Sequence, residues 1–224
     1  MLLTSEHRQR LVHLVAIHAG LRLGDREQIV AARALEQRLD QLRWVNVPSY
    51  LGLLAAPSAY LETPVGTIIT YDSEWTALVT QLTIGESYFF RDQQQFRLLR
   101  TQLLPDRLRV AHQRSSQSPL RLWSAGCATG EEVYSLAMLW QELYGLNSIP
   151  KVQILGTDIN PTFLAKARQG NYSSWSFRQT SPPIQPTYFQ SAGHDHWQIR
   201  ADLQQVTQFD RFNLATDPVL SLIH

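Results

Sequence analysis

The spacing of apolar residues along this chain changes period twice. Up to about residue 90 it is helical: Leu11, Leu14, Val15 and His18 fall at i, i+3, i+4 and i+7, the stripe of a helix lying on a core. "GDREQIVAARALEQRLDQL" opens with Asp25 as the expected N-cap and Gln28 three residues on, a capping-box arrangement, and Leu35, Leu39 and Leu42 continue its apolar face. Pro48-Ser49 starts a short segment, "YLGLLAAP", that ends at Pro57. Trp75, Leu78, Val79 and Leu82 repeat the stripe, with Asp72 or Ser73 in front as cap. A further helix follows Asp92, with Phe96, Leu99 and Leu103 on one side and Pro105 closing it.

Residues 106–119, "DRLRVAHQRSSQSP", are polar and end in Ser and Pro, the composition of a connection. Beyond them the pattern becomes strand, helix, strand, helix. "LRLWSA" reads as a buried strand, and Gly130 to Tyr144 as a helix presenting Val133, Leu136, Ala137, Trp140 and Tyr144. "KVQILGTDI" reads as a second strand, after which Asn160-Pro161 and Gly170 bracket a short helix. Two strands joined by a helix predict a parallel α/β sheet. From residue 171 turn residues dominate, and "HWQIR" alternates as a strand does. "DLQQVTQFDRFNL" is a further strand candidate leading back to the sheet. The expected organisation is therefore a helical N-terminal domain (1–90), a helix and linker (91–119), and an α/β domain (120–224) carrying an antiparallel excursion over about 171–212.

Composition narrows the classes of function. A hydrophobic fraction of 44% and a charged fraction of 17% describe an ordinary globular chain. A net charge of +1 gives no bulk field for nucleic acid or for an anionic membrane. The basic residues are arginines except for Lys151 and Lys166, which favours bidentate capture of carboxylates; GC-rich coding is the plainer cause. A single cysteine, Cys127, excludes an internal disulfide framework and points to a cytoplasmic protein. No apolar run reaches the ~18 residues of a membrane span, and "MLLTSEHRQR" is no secretory signal.

The chemistry gathers at "AGCATGEE", residues 125–132, between the first α/β strand and its helix. A nucleotide-triphosphate loop needs a Lys where Glu131 stands, and a carboxylate would repel the phosphate. A dinucleotide loop needs a glycine where Ala128 stands and an anion where Glu131 and Glu132 begin the helix. S-adenosylmethionine carries no phosphate, and it bears a sulfonium and an ammonium that a carboxylate suits. Small residues such as Gly126 let backbone approach it, and Asp158, ending the second strand, is placed to accept from ribose hydroxyls. The plainer alternative is a tight strand–helix turn whose glutamates favour the helix dipole.

"LTIGESYFFRD", "LRLWSAGCATGEEVYSLAM", "ILGTDIN" with "FLAKARQGNYSSWSFR", and "FNL" occur in one order. Together they resemble the CheR-type chemoreceptor glutamate O-methyltransferase family, with agreement running from about residue 80 to residue 214. The resemblance implies a helical N-terminal domain, a Rossmann-like α/β domain using S-adenosylmethionine and releasing S-adenosylhomocysteine, and an antiparallel β-subdomain that docks receptors. It carries cofactor contacts to Ser87, Arg91, Gly126 and Glu131, to Asp158 at the ribose, and to Asn213 and Leu214 near the adenine. Arg91 is also the implied catalytic residue, steering the incoming carboxylate or holding that of the cofactor. Gly85 is a further expected cofactor contact, and it departs from the Asn found in many members.

The family continues past Asn213-Leu214 into a strand ending in Arg-Asn, whereas this chain ends at "ATDPVLSLIH". It is expected to be C-terminally truncated relative to that pattern, its sheet cut after the second parallel strand. The implied activity is methyl transfer to glutamates in the cytoplasmic domains of methyl-accepting chemoreceptors. The alternative is a non-catalytic module that binds cofactor or receptor. Neither nucleic acid nor membrane insertion is expected.

Three other features weigh less. His194 and His196 flank Asp195 without a matching ligand pair elsewhere, so no metal is expected and an exposed hairpin tip is. Cys127, among small residues at a helix start, is expected to be space-limited and not a nucleophile. Arg33, Arg38 and Arg43 offer either a basic face for acidic helices or an ordinary solvated face.

Overall fold

A computed structural model describes residues 3–113, 119–148, 151–180 and 183–218. It is mixed α/β and divides into two compact units. One comprises residues 1–84, 159–161 and 212–224, and the other residues 85–158 and 162–211.

Among the described residues the first unit is built on four helices: α1 (Ser5–Ala19), α2 (Asp25–Gln41), α3 (Val47–Ala55) and α4 (Tyr71–Leu82). The stripes close on one core, in which Leu11, Val15, Leu35, Leu39, Leu51, Leu54 and Leu78 are fully buried. Their caps differ from those expected. Gly24 caps α2, accepting the Gln28 N–H at 2.9 Å on its carbonyl, so Asp25 is the first helical residue and complements the dipole instead. Thr70 caps α4 because strand β2 runs up to it; Thr70 and Ser73 then exchange side-chain and backbone bonds as a capping box.

A hairpin that the hydrophobic pattern does not announce, β1 (Tyr60–Glu62) with β2 (Ile68–Thr70), separates α3 from α4. Its strands are three residues each and bury only Ile69, too short to show alternation. Arg38 does not belong to a free basic face. Its guanidinium grips the Glu74 carboxylate through two bonds of 2.7 Å, and Tyr50 donates its hydroxyl to the same carboxylate at 2.6 Å.

In the second unit α5 (Gln93–Leu98) runs through a π-helical turn (Leu99–Leu103) into α6 (Leu104–Gln113), so Pro105 does not end the helix. The Leu104 N–H reaches back five residues to Leu99, and Pro105 falls in the first turn of α6, where a missing N–H is tolerated. Much of the expected linker is therefore helix, and its residues 114–118 lie outside the described ones.

Among the described residues the sheet that follows has three parallel strands, not two: β3 (Leu120–Ala125), β4 (Val152–Asp158) and β8 (Thr207–Arg211), with β4 in the centre. Helix α7 (Glu131–Tyr144) crosses between β3 and β4. Val133, Tyr134, Leu136, Ala137, Met138, Leu139 and Trp140 are all buried, so α7 is covered nearly all round and not on one face. After α8 (Pro161–Gln169), strand β5 (Asn171–Ser173), a 3₁₀ turn (Ser174–Phe177), α9 (Gln185–Tyr188), β6 (Phe189–Ser191) and β7 (His196–Ile199) form the excursion. Its antiparallel order is β5-β7-β6. The excursion ends at Ile199. Helix α10 (Ala201–Gln205) then leads into β8, which is parallel, so residues 200–212 are not antiparallel sheet.

Candidate functional site

The turn between β3 and α7 lies at the C-terminal ends of parallel strands, where open α/β sheets bind ligands. Its start is tied to β4, because the Gly126 and Cys127 N–H groups both donate to the Thr157 carbonyl, at 2.8 and 2.9 Å. The backbone then enters the left-handed region three times, at Gly126 (φ 75°), Ala128 (φ 48°) and Gly130 (φ 93°). Ala128 in that region is held from outside: Asp158, at the end of β4, accepts the Ala128 N–H at 2.9 Å.

The two glycines have different surroundings. A Cβ on Gly130 would meet Ala167 Cβ at 2.7 Å and the Tyr172 hydroxyl at 3.0 Å. A Cβ on Gly126 would meet nothing within 4 Å. One glycine is required by packing, and the other leaves an open approach to the backbone.

Glu131 is 1% exposed. It accepts from the Thr129 hydroxyl at 2.6 Å and from the Ser176 hydroxyl at 3.0 Å, and it forms no ion pair among the described residues. Beside it Glu132 accepts from the Ser124 hydroxyl at 2.7 Å. Three carboxylates thus surround one turn. Their field is visible on Cys127, whose thiol is pushed up to about 12, by burial first and then by Asp158, Glu132 and Glu131. The Tyr172 hydroxyl is likewise raised well above its usual range, by burial and then by Glu131. A buried carboxylate satisfied only by hydroxyls, with no cation beside it, suits a ligand that brings the cation.

The segment Gly85–Arg91 is drawn toward the same place. The Phe89 N–H donates to the Ser176 carbonyl at 2.9 Å, and the Phe90 N–H donates to the Ser135 hydroxyl oxygen at 3.0 Å. Ser135 in turn donates to the Glu131 carbonyl at 2.6 Å. Ser176 therefore joins both stretches, accepting from Phe89 with its backbone and donating to Glu131 with its side chain. Phe89 is fully buried, stacked on Phe177 with centroids 4.9 Å apart.

Arg91 itself is exposed, with Nη1 donating to the Glu86 carbonyl at 2.8 Å. The departure at Gly85 has a steric reason: a Cβ there would lie 2.6 Å from the ring of Phe163, so no larger residue fits without moving that ring.

Of the expected site residues, Gly85, Ser87, Arg91, Gly126, Glu131 and Asp158 all lie in the second unit, whereas Asn213 and Leu214 belong to the first. There the Asn213 side chain donates to the His18 carbonyl at 2.5 Å and accepts from the Ala215 N–H at 3.0 Å, and Leu214 is largely exposed. Thr129, Ser135, Tyr172, Ser176 and Arg178 escaped sequence reading; only the clustering of Ser and aromatic residues in "NYSSWSFR" marks three of them. His194 lies at the exposed β6–β7 tip. His196 bonds Asn171 at 2.8 Å, and no metal-binding cluster occurs among the described residues. No described helix is long and apolar enough to cross a membrane.

Comparison with known proteins finds relatives along most of the chain. The chain is similar to the chemotaxis protein methyltransferase of Borreliella burgdorferi, 28% identical over 213 residues that cover 95% of this chain and 71% of that protein. It is 27% identical to the Escherichia coli chemotaxis protein methyltransferase over 95% of this chain and 67% of that protein. The Listeria monocytogenes protein of the same name is 35% identical over 62% of this chain and 50% of its own length. The family described as "CheR methyltransferase, SAM binding domain" matches residues 85–223, a span holding the turn, Asp158 and the Gly85–Arg91 segment, and the chain belongs to this CheR methyltransferase family.

Proposed function

We propose that this chain transfers a methyl group from S-adenosylmethionine to glutamate carboxylates of chemoreceptors, with the cofactor held at the C-terminal ends of β3 and β4. The observation that carries it is the arrangement of Asp158, Glu131 and Gly126 around one turn: a backbone left open to approach, with carboxylates beside it and no lysine in residues 125–132. That donor set suits a cationic, phosphate-free nucleotide and would repel a phosphate.

When bound, S-adenosylmethionine would supply an electrophilic methyl group on a sulfonium. Asp158 would accept from the ribose hydroxyls while its Oδ2 holds the Ala128 N–H. Glu131, Gly126 and the Ser87 hydroxyl would line the aminoacyl part. A glutamate nucleophile has an ordinary pKa of about 4.3 and is already anionic at neutral pH. No general base is then needed, and orientation, which supplies ~7–11 kcal/mol in well-arranged systems, is the main contribution. Arg91, exposed and held by one bond through Nη1, is suited to steering an incoming carboxylate. The β5-β7-β6 excursion is the proposed receptor-docking element.

The test is transfer of radiolabelled methyl from the cofactor to receptor-containing membranes. Base-labile label on the receptor supports the proposal. Cofactor binding without label transfer would favour a non-catalytic module, and label stable to base would point to another acceptor.

A further inference from the structure

We propose that Arg178 is a positioning residue that fixes the Gly85–Arg91 segment at the cofactor site; this rests on the S-adenosylmethionine site proposed above. Arg178 follows the 3₁₀ turn and lies 91 residues in sequence from Ser87, whose carbonyl it reaches. Its Nη1 donates to the Trp175 carbonyl at 2.8 Å and to the Ser87 carbonyl at 3.3 Å. Its Nη2 faces Glu86 Oε1 at 3.5 Å. Two rings lie within cation–π distance of the guanidinium carbon, with centroids at 4.1 Å for Tyr88 and 4.5 Å for Trp175.

The carboxylate is not what holds this group. Glu86 is 64% exposed at a long contact, and exposed pairs contribute little, whereas the Arg178 side chain is 16% exposed. The guanidinium is held instead by two rings within cation–π distance and by Nη1, which alone reaches a carbonyl on each side of the gap. A lysine ammonium could donate to the carbonyls but would not supply the delocalised, weakly hydrated cation that contacts both rings. Arg178 therefore joins residues 86–88 to the turn whose Ser176 already holds Phe89 and Glu131. Without it the segment bearing Ser87 and Arg91 would keep its Phe89 and Phe90 anchors but lose the restraint at its front. Arg91 is no substitute, because it bonds within its own segment, to Glu86, and lies 5.7 Å from the Tyr88 centroid.

The experiment compares wild type, Arg178→Lys and Arg178→Gln in the full chain by calorimetric titration with S-adenosylhomocysteine and by amide hydrogen exchange of residues 85–91. Melting temperature serves as the folding control. The expected result is a melt close to wild type for Arg178→Lys, with affinity about tenfold weaker and, because the two anchors open more often, exchange of the hydrogen-bonded Phe89 and Phe90 amides about tenfold faster. Arg178→Gln, which keeps a donor but loses the charge, is expected to match or exceed that loss. Wild-type binding together with unchanged exchange and affinity in both variants would overturn the proposal alone. A wild-type chain that takes up no S-adenosylhomocysteine would overturn the site assignment and the proposal with it.

Discussion

The turn holds two left-handed glycines whose replacements should fail for different reasons. At Gly130 (φ 93°) an alanine would meet the backbone cost of that region, roughly 1–2 kcal/mol. Its Cβ would also press on Ala167 Cβ at 2.7 Å, Tyr172 Oη at 3.0 Å and Ala167 Cα at 3.2 Å. Two of these atoms belong to helix α8 and cannot rotate away, so overpacking adds about 1–3 kcal/mol. The sum, ~2–5 kcal/mol, corresponds to a fall in melting temperature of roughly 4–20 °C at ~2–4 °C per kcal/mol.

Gly126→Ala carries the same kind of backbone cost at φ 75° but meets nothing within 4 Å. Its melt should fall by only ~2–8 °C. Its new methyl would instead occupy the open approach, and affinity for S-adenosylhomocysteine should drop about tenfold or more. Scanning calorimetry with and without ligand separates the two. Equal melting temperatures would refute the packing explanation, and full affinity in Gly126→Ala would refute the role given to the open face.

Two further expectations follow from buried groups. Cys127, the single cysteine, should resist a disulfide-exchange reagent at pH 8 in the native protein and react with one equivalent once denatured. The folded state favours its neutral form, its pKa being raised from an ordinary 9.0 to about 12; this contribution to stability is complete below pH ~9 and is lost as pH climbs toward 12. Rapid native labelling at pH 8 would contradict this. In the first unit, Arg38→Met would strand Glu74, which is 0% exposed, with hydroxyl partners only. Arg38 is itself partly exposed, so a loss near the low end of the ~3–5 kcal/mol range is expected in denaturant melts. Arg38→Met with Glu74→Met should recover part of it, and a double variant worse than the single would refute the account.

What could be read from sequence is what is encoded locally. The run from β3 through the turn to α7 and β4 shows strand, small residues, acid, helix and terminal Asp within 40 residues, and the residues so marked, Gly126, Glu131 and Asp158, share one end of the sheet. The remaining supports come from far along the chain. Ser176 reaches Glu131 across 45 positions and Arg178 reaches Ser87 across 91, so the Ser and aromatic cluster around them marks the stretch without announcing its partners. A proline usually ends a helix, whereas Pro105 follows a π-turn and falls in the first turn of α6, where a missing N–H is tolerated. Strand β8 was blurred by α10, whose five residues run directly into it. The caps were misplaced by one to three residues because Gly24 acts through its backbone and Thr70 also ends a strand.

The central claim is that Asp158, at the end of β4, binds the cofactor from the turn it also holds. Asp158→Asn tests it most directly, since an amide oxygen can still accept the Ala128 N–H while the charge is lost. A hydrogen bond to a charged group contributes about 1.5–3 kcal/mol, so one lost bond corresponds to roughly a 10–150-fold weaker dissociation constant. Titration calorimetry with S-adenosylhomocysteine should give one site per chain in the wild type and that loss in the variant, at an unchanged melting temperature. Equal affinities in the two proteins would contradict the account.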